Sequence, residues 1–218
     1  MGADETRVIR VAIVDDHPAT AAGLAALISR EPGLSVVGTA GSMSSAIELI
    51  EHEAPDVALV DIQMDGSPTG FDILRHLRGS GPAVILFSSY DYPGFHARAL
   101  ELGARGYLAK TASVAAIVAA IRSVAAGGSA FSASAIADAR QAPRPPSERE
   151  LEVVRLVAAG HSNDEIGARL GLTEKSVESH LRRIFGRYGI TSRTELSLLA
   201  VRQGWIEPGP AMDPAPGE

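Results

Sequence analysis

The chain has 218 residues, 45 % of them hydrophobic, and a formal net charge of −6. That length allows one or two domains with real cores, and the absence of cysteine excludes disulfides and thiolate metal sites. No apolar run approaches the roughly 18 residues of a membrane span and the start shows no signal-peptide pattern, so a soluble cytoplasmic protein with no membrane partner is expected. The opening MGADET carries only the bare Gly2 pattern of a myristoylation site, too short a match to change that reading. From 8 to 126, short apolar runs alternate with helix-like stretches. VIRVAIV leads to PATAAGLAALISR, LSVVGTA to MSSAIELIEH, DVALVDI to GFDILRHLR, AVILFSS to PGFHARALELG, and GYLAK to SVAAIVAAIRSVAAG. Apolar runs without alternation read as strands buried on both faces. Five strand–helix units of this kind predict a doubly wound parallel α/β sheet with helices on both sides. Residues 127–147, punctuated by Gly127, Gly128, Pro143, Pro145 and Pro146, read as a linker with a short helical piece.

From 147 the apolar period is helical only. Ser147-x-x-Glu150, Ser162-x-x-Glu165 and Ser192-x-x-Glu195 have capping-box spacing, and Thr173 caps a further helix. Leu151, Val154 and Val157 share one face of the first helix, Ile166 and Leu170 of the second, and Val177, Leu181, Ile184, Phe185 and Tyr188 of the third. With the tight LGLT turn at 170–173, this is the pattern of a helix-turn-helix. Residues 147–206 hold nine basic and eight acidic residues. Within them, the segment 175–193 sets Lys175, Arg182, Arg183, Arg187 and Arg193 against Glu178 alone, a basic strip suited to phosphates. The end, 207–218, is Pro/Gly-rich and acidic and reads as disordered.

The C-terminal ends of the predicted strands carry the chemistry. The first ends in Asp15 and Asp16, the third in Asp61, the fourth in Ser88 and Ser89, and the fifth in Lys110. Ligands of open parallel sheets bind beyond these ends, so three carboxylates, a hydroxyl and an ammonium are expected to converge. Clustered carboxylates need a hard cation, and Mg²⁺ suits a few carboxylate oxygens, a carbonyl and waters. A carboxylate can attack phosphorus to form an aspartyl phosphate. Lys110 would then pair with the phosphoryl group and Ser88 would hydrogen-bond it. All but two of the 20 basic residues are arginine, so a lysine at 110 hints at a need for a compact charge. His17, His161 and His180 have no partner at ligand spacing along the chain and are read as turn, cap and helix-surface residues.

VAIVDDHP, VALVDIQM, VILFSS and GARGYLAK together resemble the receiver domain of two-component response regulators, over residues 8 to about 126. That resemblance implies a flavodoxin-like (βα)5 fold. It implies Asp61 as acceptor of a phosphoryl group from a sensor histidine kinase, and Asp15 and Asp16 as the acidic pair. Asp16, Asp61 and the Gln63 carbonyl would ligate Mg²⁺, with Ser88 and Tyr107 as switch residues and Lys110 pairing with the phosphate. The sequence departs from the family at Met64-Asp65-Gly66, where Met-Pro-Gly is common, in a loop to Gly70 that is one residue longer, and at Thr111, where many receivers have proline.

LVAAGHSNDEIGARLGLTEKSVESHLRRIFGRYGITSRTEL closely resembles the DNA-binding tail of LuxR/NarL/FixJ-type regulators. The whole reads as a NarL/FixJ-type response regulator rather than an enzyme. Receiver 1–126, linker 127–146, a four-helix helix-turn-helix domain 147–206 and a tail 207–218 are its expected parts. It would bind double-stranded promoter DNA as a homodimer once activated, with RNA polymerase a further partner. On the third helix Lys175, Glu178, Ser179 and Arg182 lie opposite the apolar stripe, where they would enter the major groove, with Arg183 and Arg187 flanking for phosphates. A phosphatase using Asp61 and Mg²⁺, and a regulator of the same build that works without phosphorylation, are the alternatives.

Overall fold

The structure is a computed structural model that describes residues 7–64, 69–79 and 81–206, without the Asp138 side chain. The opening MGADET, the Asp65-Gly66 rim and the 207–218 tail lie outside the described residues. The chain divides into two compact units: the first takes residues up to Asp91 and His96–Ala139, the second Tyr92–Phe95 and the residues from Arg140.

In the first unit β1 (Ile9–Val14), β2 (Leu34–Ala40), β3 (Val57–Asp61), β4 (Ala83–Ser88) and β5 (Gly106–Ala109) form one parallel sheet in the order β2-β1-β3-β4-β5. Helices α1 (Pro18–Ile28), α2 (Met43–Glu53), α3 (Gly70–His76), α4 (Pro93–Leu102) and α5 (Val114–Ala125) connect and cover it. Val11, Ile13, Leu59, Ile85 and Phe87 pack with Leu24 and Ile28 of α1 and Ile117 and Ile121 of α5. Their chain neighbours Ala12, Val14, Ala58 and Val60 are equally buried. Both faces are therefore covered, which is why these strands show no polar alternation. The strand order reverses between β1 and β3, and the crevice beyond their carboxyl ends is where such sheets bind ligands.

The expected linker is mostly structured. Ala130 pairs with Gly106 at the edge of β5, and α6 (Ala133–Gln141) follows.

The second unit holds α7 (Glu148–Ala158), α8 (Asn163–Leu170), α9 (Glu174–Tyr188) and α10 (Arg193–Arg202). Val153, Val154 and Val157, Ile166, Val177, Leu181 and Ile184, and Leu196 and Ala200 meet in one core with Trp205. Ser147 and Ser162 form the expected capping boxes. Ser192 caps α10, but the Glu195 carboxylate accepts from the Thr191 N–H at 2.7 Å, one residue earlier than the spacing predicts. Between α8 and α9 the backbones come close: a Cβ on Gly167 would lie 2.7 Å from the Leu172 carbonyl oxygen. That contact sets the tightness of the turn.

Candidate functional site

The carboxyl ends of β1, β3, β4 and β5 deliver polar groups to the crevice. Asp15 and Asp16 follow β1, Asp61 closes β3, Ser88 closes β4, and Lys110 follows β5. Asp15, Asp61 and Ser88 are buried, with exposures of 3 %, 2 % and 0 %. The Lys110 ammonium donates to Asp61 Oδ2 at 2.7 Å and to Asp15 Oδ2 at 3.0 Å. The other oxygen of each carboxylate accepts a backbone N–H two residues on, from Gln63 at 3.1 Å and His17 at 2.8 Å. One cation and two turns thus hold both carboxylates in place.

The electrostatics favour a displaced proton equilibrium at Asp61. Burial lifts its pKa to about 6; the Lys110 hydrogen bond and charge oppose this, while Asp15 adds to it. Burial alone would lower Lys110, but its bonds to Asp61 and Asp15 outweigh that and hold the ammonium above the usual lysine range.

The backbone is equally constrained. Gly70, the first residue of α3, donates to the Ile62 carbonyl at 3.0 Å, and a Cβ there would sit 2.0 Å from the Asp61 carbonyl oxygen. Only glycine lets α3 start this close to the strand end. Thr69 and Asp72 cap the helix reciprocally beside it.

Ser88 Oγ accepts the Tyr90 N–H at 3.1 Å, and the Tyr107 hydroxyl donates to the Tyr90 carbonyl. Tyr107 is buried, and that burial pushes its phenol above the usual tyrosine range. Ser89, next along, is exposed. Gln63 is half-buried, and its N–H is the group engaged with Asp61.

His17 is the N-cap of α1, and its ring also reaches the acidic pair. Its Nδ1 lies 2.8 Å from Asp16 Oδ1, and donor atoms of Asp15, Asp16, His17 and Asp61 all fall within 4.8 Å of one another. Three hard carboxylates dominate this set, which suits a hard divalent cation. The imidazole adds a nitrogen at the rim.

In the second unit the outward face of α9 carries Lys175, Glu178, Ser179, Arg182 and Arg183, all exposed, while Val177, Leu181 and Ile184 point into the core. Arg183 donates to His180 Nδ1 at 3.0 Å. Among the described residues, Glu178 and Arg182 form no ion pair with each other.

Two arginines of the basic strip are committed elsewhere. Arg187 spans the Glu150 carboxylate, with Nη1 to Oε2 at 2.9 Å and Nη2 to Oε1 at 3.0 Å. Arg193 donates to Asn163 Oδ1 at 2.8 Å and to the His161 carbonyl. The expectation that Arg187 faces phosphates therefore meets a different geometry: Glu150, only 5 % exposed, needs a cation, and Arg187 supplies it. Burial raises the Glu150 pKa, but the Ser147 N–H and Arg187 outweigh it, so the carboxyl stays below its ordinary value.

Residues 11–122 match the response regulator receiver domain family, and residues 146–200 match the luxR family of bacterial regulatory proteins. The chain is a LuxR-family response regulator. The transcriptional regulatory protein MctR of Rhizobium johnstonii is 34 % identical over 206 residues, covering 91 % of this chain and 95 % of that protein. The nitrate/nitrite response regulator NarP of Escherichia coli is 33 % identical over 210 residues, covering 91 % and 97 %. Among solved structures, the response regulator ChrA of a heme-sensing two-component system aligns over 91 % of this chain and 98 % of that one, at 32 % identity and a TM-score of 0.53. RcsB of Salmonella enterica aligns over 90 % and 99 % with a TM-score of 0.65, and at 20 % identity it speaks for the fold alone.

This response regulator is thus a transcriptional regulator built from a receiver and a LuxR-type DNA-binding domain. No helix among its described residues is long and apolar enough to cross a membrane. Asp15, Asp16, Asp61, Ser88 and Lys110 carried a signal in the sequence, because each sits where a buried strand stops. Glu150 carried half a signal, its capping-box spacing. Nothing local pointed to Arg187, 37 positions away. His96, a buried histidine on α4, carried none.

Proposed function

We propose that this response regulator accepts a phosphoryl group on Asp61 from a sensor histidine kinase and, as a homodimer, binds promoter DNA through the outward face of α9. The observation that carries the reading is the convergence of Asp15, Asp61 and Lys110 within hydrogen-bond distance, with Ser88 at the end of the adjacent strand. In the transfer, an Asp61 oxygen attacks the phosphorus of the kinase's phosphohistidine. The new P–O bond forms as the P–N bond breaks, and the imidazole leaves with the electron pair and takes a proton from water. Asp16, Asp61 and the Gln63 carbonyl, with Asp15 behind them, would hold a Mg²⁺ ion, which would supply positive charge to the phosphoryl oxygens. Lys110 exchanges a carboxylate partner for a phosphoryl oxygen, and its compact ammonium suits that exchange. Ser88 releases the Tyr90 N–H to bond the phosphoryl group, and Tyr107, tied to the same Tyr90, responds as the switch aromatic.

In the second unit Lys175, Glu178, Ser179 and Arg182 face the base edges and Arg183 the backbone. RNA polymerase is the partner through which a bound dimer acts, and the cytoplasm is where kinase, DNA and polymerase meet it. The domain limits that fit this division are a receiver over 1–126, a connecting segment over 127–146, the DNA-binding domain over 147–206 and a tail beyond.

Incubation with Mg²⁺ and acetyl phosphate should add one acid-stable, base-labile phosphoryl group and promote dimerisation and DNA binding. Asp61→Asn should abolish all three gains. Uptake that persists in the variant refutes Asp61 as acceptor. Steady turnover of phosphate esters by native protein would favour a phosphatase instead.

A further inference from the structure

We propose that His96, anchored by Asp91, is a positioning residue that couples Tyr107 to α4 and so passes the change at Ser88 to the receiver's surface. The inference rests on the reading of Asp61, Ser88 and Tyr107 just given and concerns how the signal leaves the pocket.

His96 is an unusual choice for its place. It is 7 % exposed on the same helix as Phe95 and Ala99, both fully buried. A polar ring here carries a desolvation cost that an aliphatic side chain of similar volume would avoid. Its Nε2 lies 2.8 Å from Asp91 Oδ1, on a side chain that is itself 72 % exposed. Its ring meets Tyr107 edge to face, with centroids 4.4 Å apart and planes at 83°, a geometry in which ring edge and ring face attract.

These contacts close a circuit. Ser88 Oγ holds the Tyr90 N–H; the Tyr90 carbonyl holds the Tyr107 hydroxyl. The Tyr107 ring then holds His96, and His96 holds Asp91, the residue that follows Tyr90 in the chain. A Ser88 that releases Tyr90 loosens both ends of the circuit at once, because Tyr90 and Asp91 share a peptide bond. His96 is the member that belongs to α4. An aliphatic residue would fill the same space without a tie to Asp91, and α4 would then be free of the circuit.

The test uses the full chain with native sequence, His96→Leu, Asp91→Ala and Asp91→Glu. Phosphoryl uptake from acetyl phosphate is read by intact mass, and dimerisation by sedimentation with and without the donor. Native protein should take up the group and gain dimer affinity. His96→Leu and Asp91→Ala should take it up to the same extent, yet lose at least about five-fold of that gain, the lower end of usual couplings between sites. Asp91→Glu, which restores the carboxylate, should recover most of it. An unchanged gain in Asp91→Ala, or a Glu variant no better than the Ala variant, overturns the inference while leaving the phosphoacceptor reading intact. Native protein that takes up no phosphoryl group overturns that reading, and this inference with it. Because Asp91 is exposed, its two variants decide the matter even if His96→Leu fails to fold.

Discussion

Replacing Asp61 by asparagine should stabilise the first unit at neutral pH when divalent cations are absent. Asp61 is 2 % exposed, and its pKa stands at about 6 against an ordinary 3.8. An acid whose folded pKa lies above its unfolded one binds more protons folded than unfolded. Stability therefore falls as pH climbs from about 4 through about 6. A shift of roughly two units amounts to about 3 kcal/mol at about 1.4 kcal/mol per unit. Asparagine has no charge to desolvate and keeps an oxygen for the Gln63 N–H. The variant gives up the Lys110–Asp61 ion pair, but Lys110 retains Asp15 at 3.0 Å. The net gain at pH 7.5 should then be about 1–3 kcal/mol and should fall by about 1.5 kcal/mol by pH 5, midway between the unfolded and folded pKa values. Urea unfolding followed by far-UV circular dichroism in EDTA reads this difference. The single tryptophan, Trp205, lies in the second unit's core and serves as the internal control. Added Mg²⁺ should close the gap from the native side by binding the folded state. An asparagine variant less stable than native at pH 7.5, or a gap that does not narrow by pH 5, would refute the claim that a buried charge is what destabilises this pocket.

Gly70→Ala should abolish phosphoryl uptake and cost about 2–4 kcal/mol in thermal denaturation, because its Cβ would meet the Asp61 carbonyl at 2.0 Å and backbone cannot yield as a side chain does. Arg183→Ala should flatten the salt dependence of DNA binding by about 0.9 in log–log slope, as expected for one lost phosphate contact. Arg187→Ala should leave that slope unchanged and lower the melting temperature instead, since its guanidinium is on Glu150. Glu178→Ala should relax selection at one base pair of each half-site by about 1–3 kcal/mol if its carboxylate reads cytosine; binding-site selection that returns an unaltered motif excludes that role.

The pocket was legible because its logic is that of a parallel sheet. A buried strand shows as an unbroken apolar run, so its end shows as the first charge after it. Asp61 after VALV and Lys110 after GYLA could be placed side by side before any coordinate was known. The same holds for α9, whose apolar stripe predicts which residues face outward. Partners distant in sequence were not legible. Helical spacing predicts neighbours three and four residues apart, whereas Glu150 and Arg187 meet across 37 positions and Asn163 and Arg193 across 30. Glu178 and Arg182, four apart on α9, form no ion pair with each other among the described residues, while Glu150 drew Arg187 away from the strip. His17 caps α1, in keeping with a turn or cap role. Its ring also turns back on its neighbour Asp16, close to Asp15 after β1 and Asp61 at the end of β3, a proximity that spacing along the chain does not show.

The internal use of Arg187 and Arg193 bears on how such a regulator can be switched. The outward face of α9 is left with Lys175, Arg182 and Arg183, and Glu178 lies among them. Even if all three cations neutralised a phosphate, the salt slope would be only about −2.7, at about −0.9 for each, with correspondingly weak non-specific binding at physiological salt. A second copy on the adjacent half-site doubles the number of contacts, and because the two act together their free energies add. A unit this sparingly charged gains most of its grip on DNA from pairing, and a strongly basic one would stay bound as a monomer whatever its receiver did. Spending arginines on Glu150 and Asn163 therefore serves more than the helix packing. On the proposed homodimer reading it would keep single copies off DNA, so that a modest change in dimer affinity at the receiver would become a large change in occupancy at the promoter.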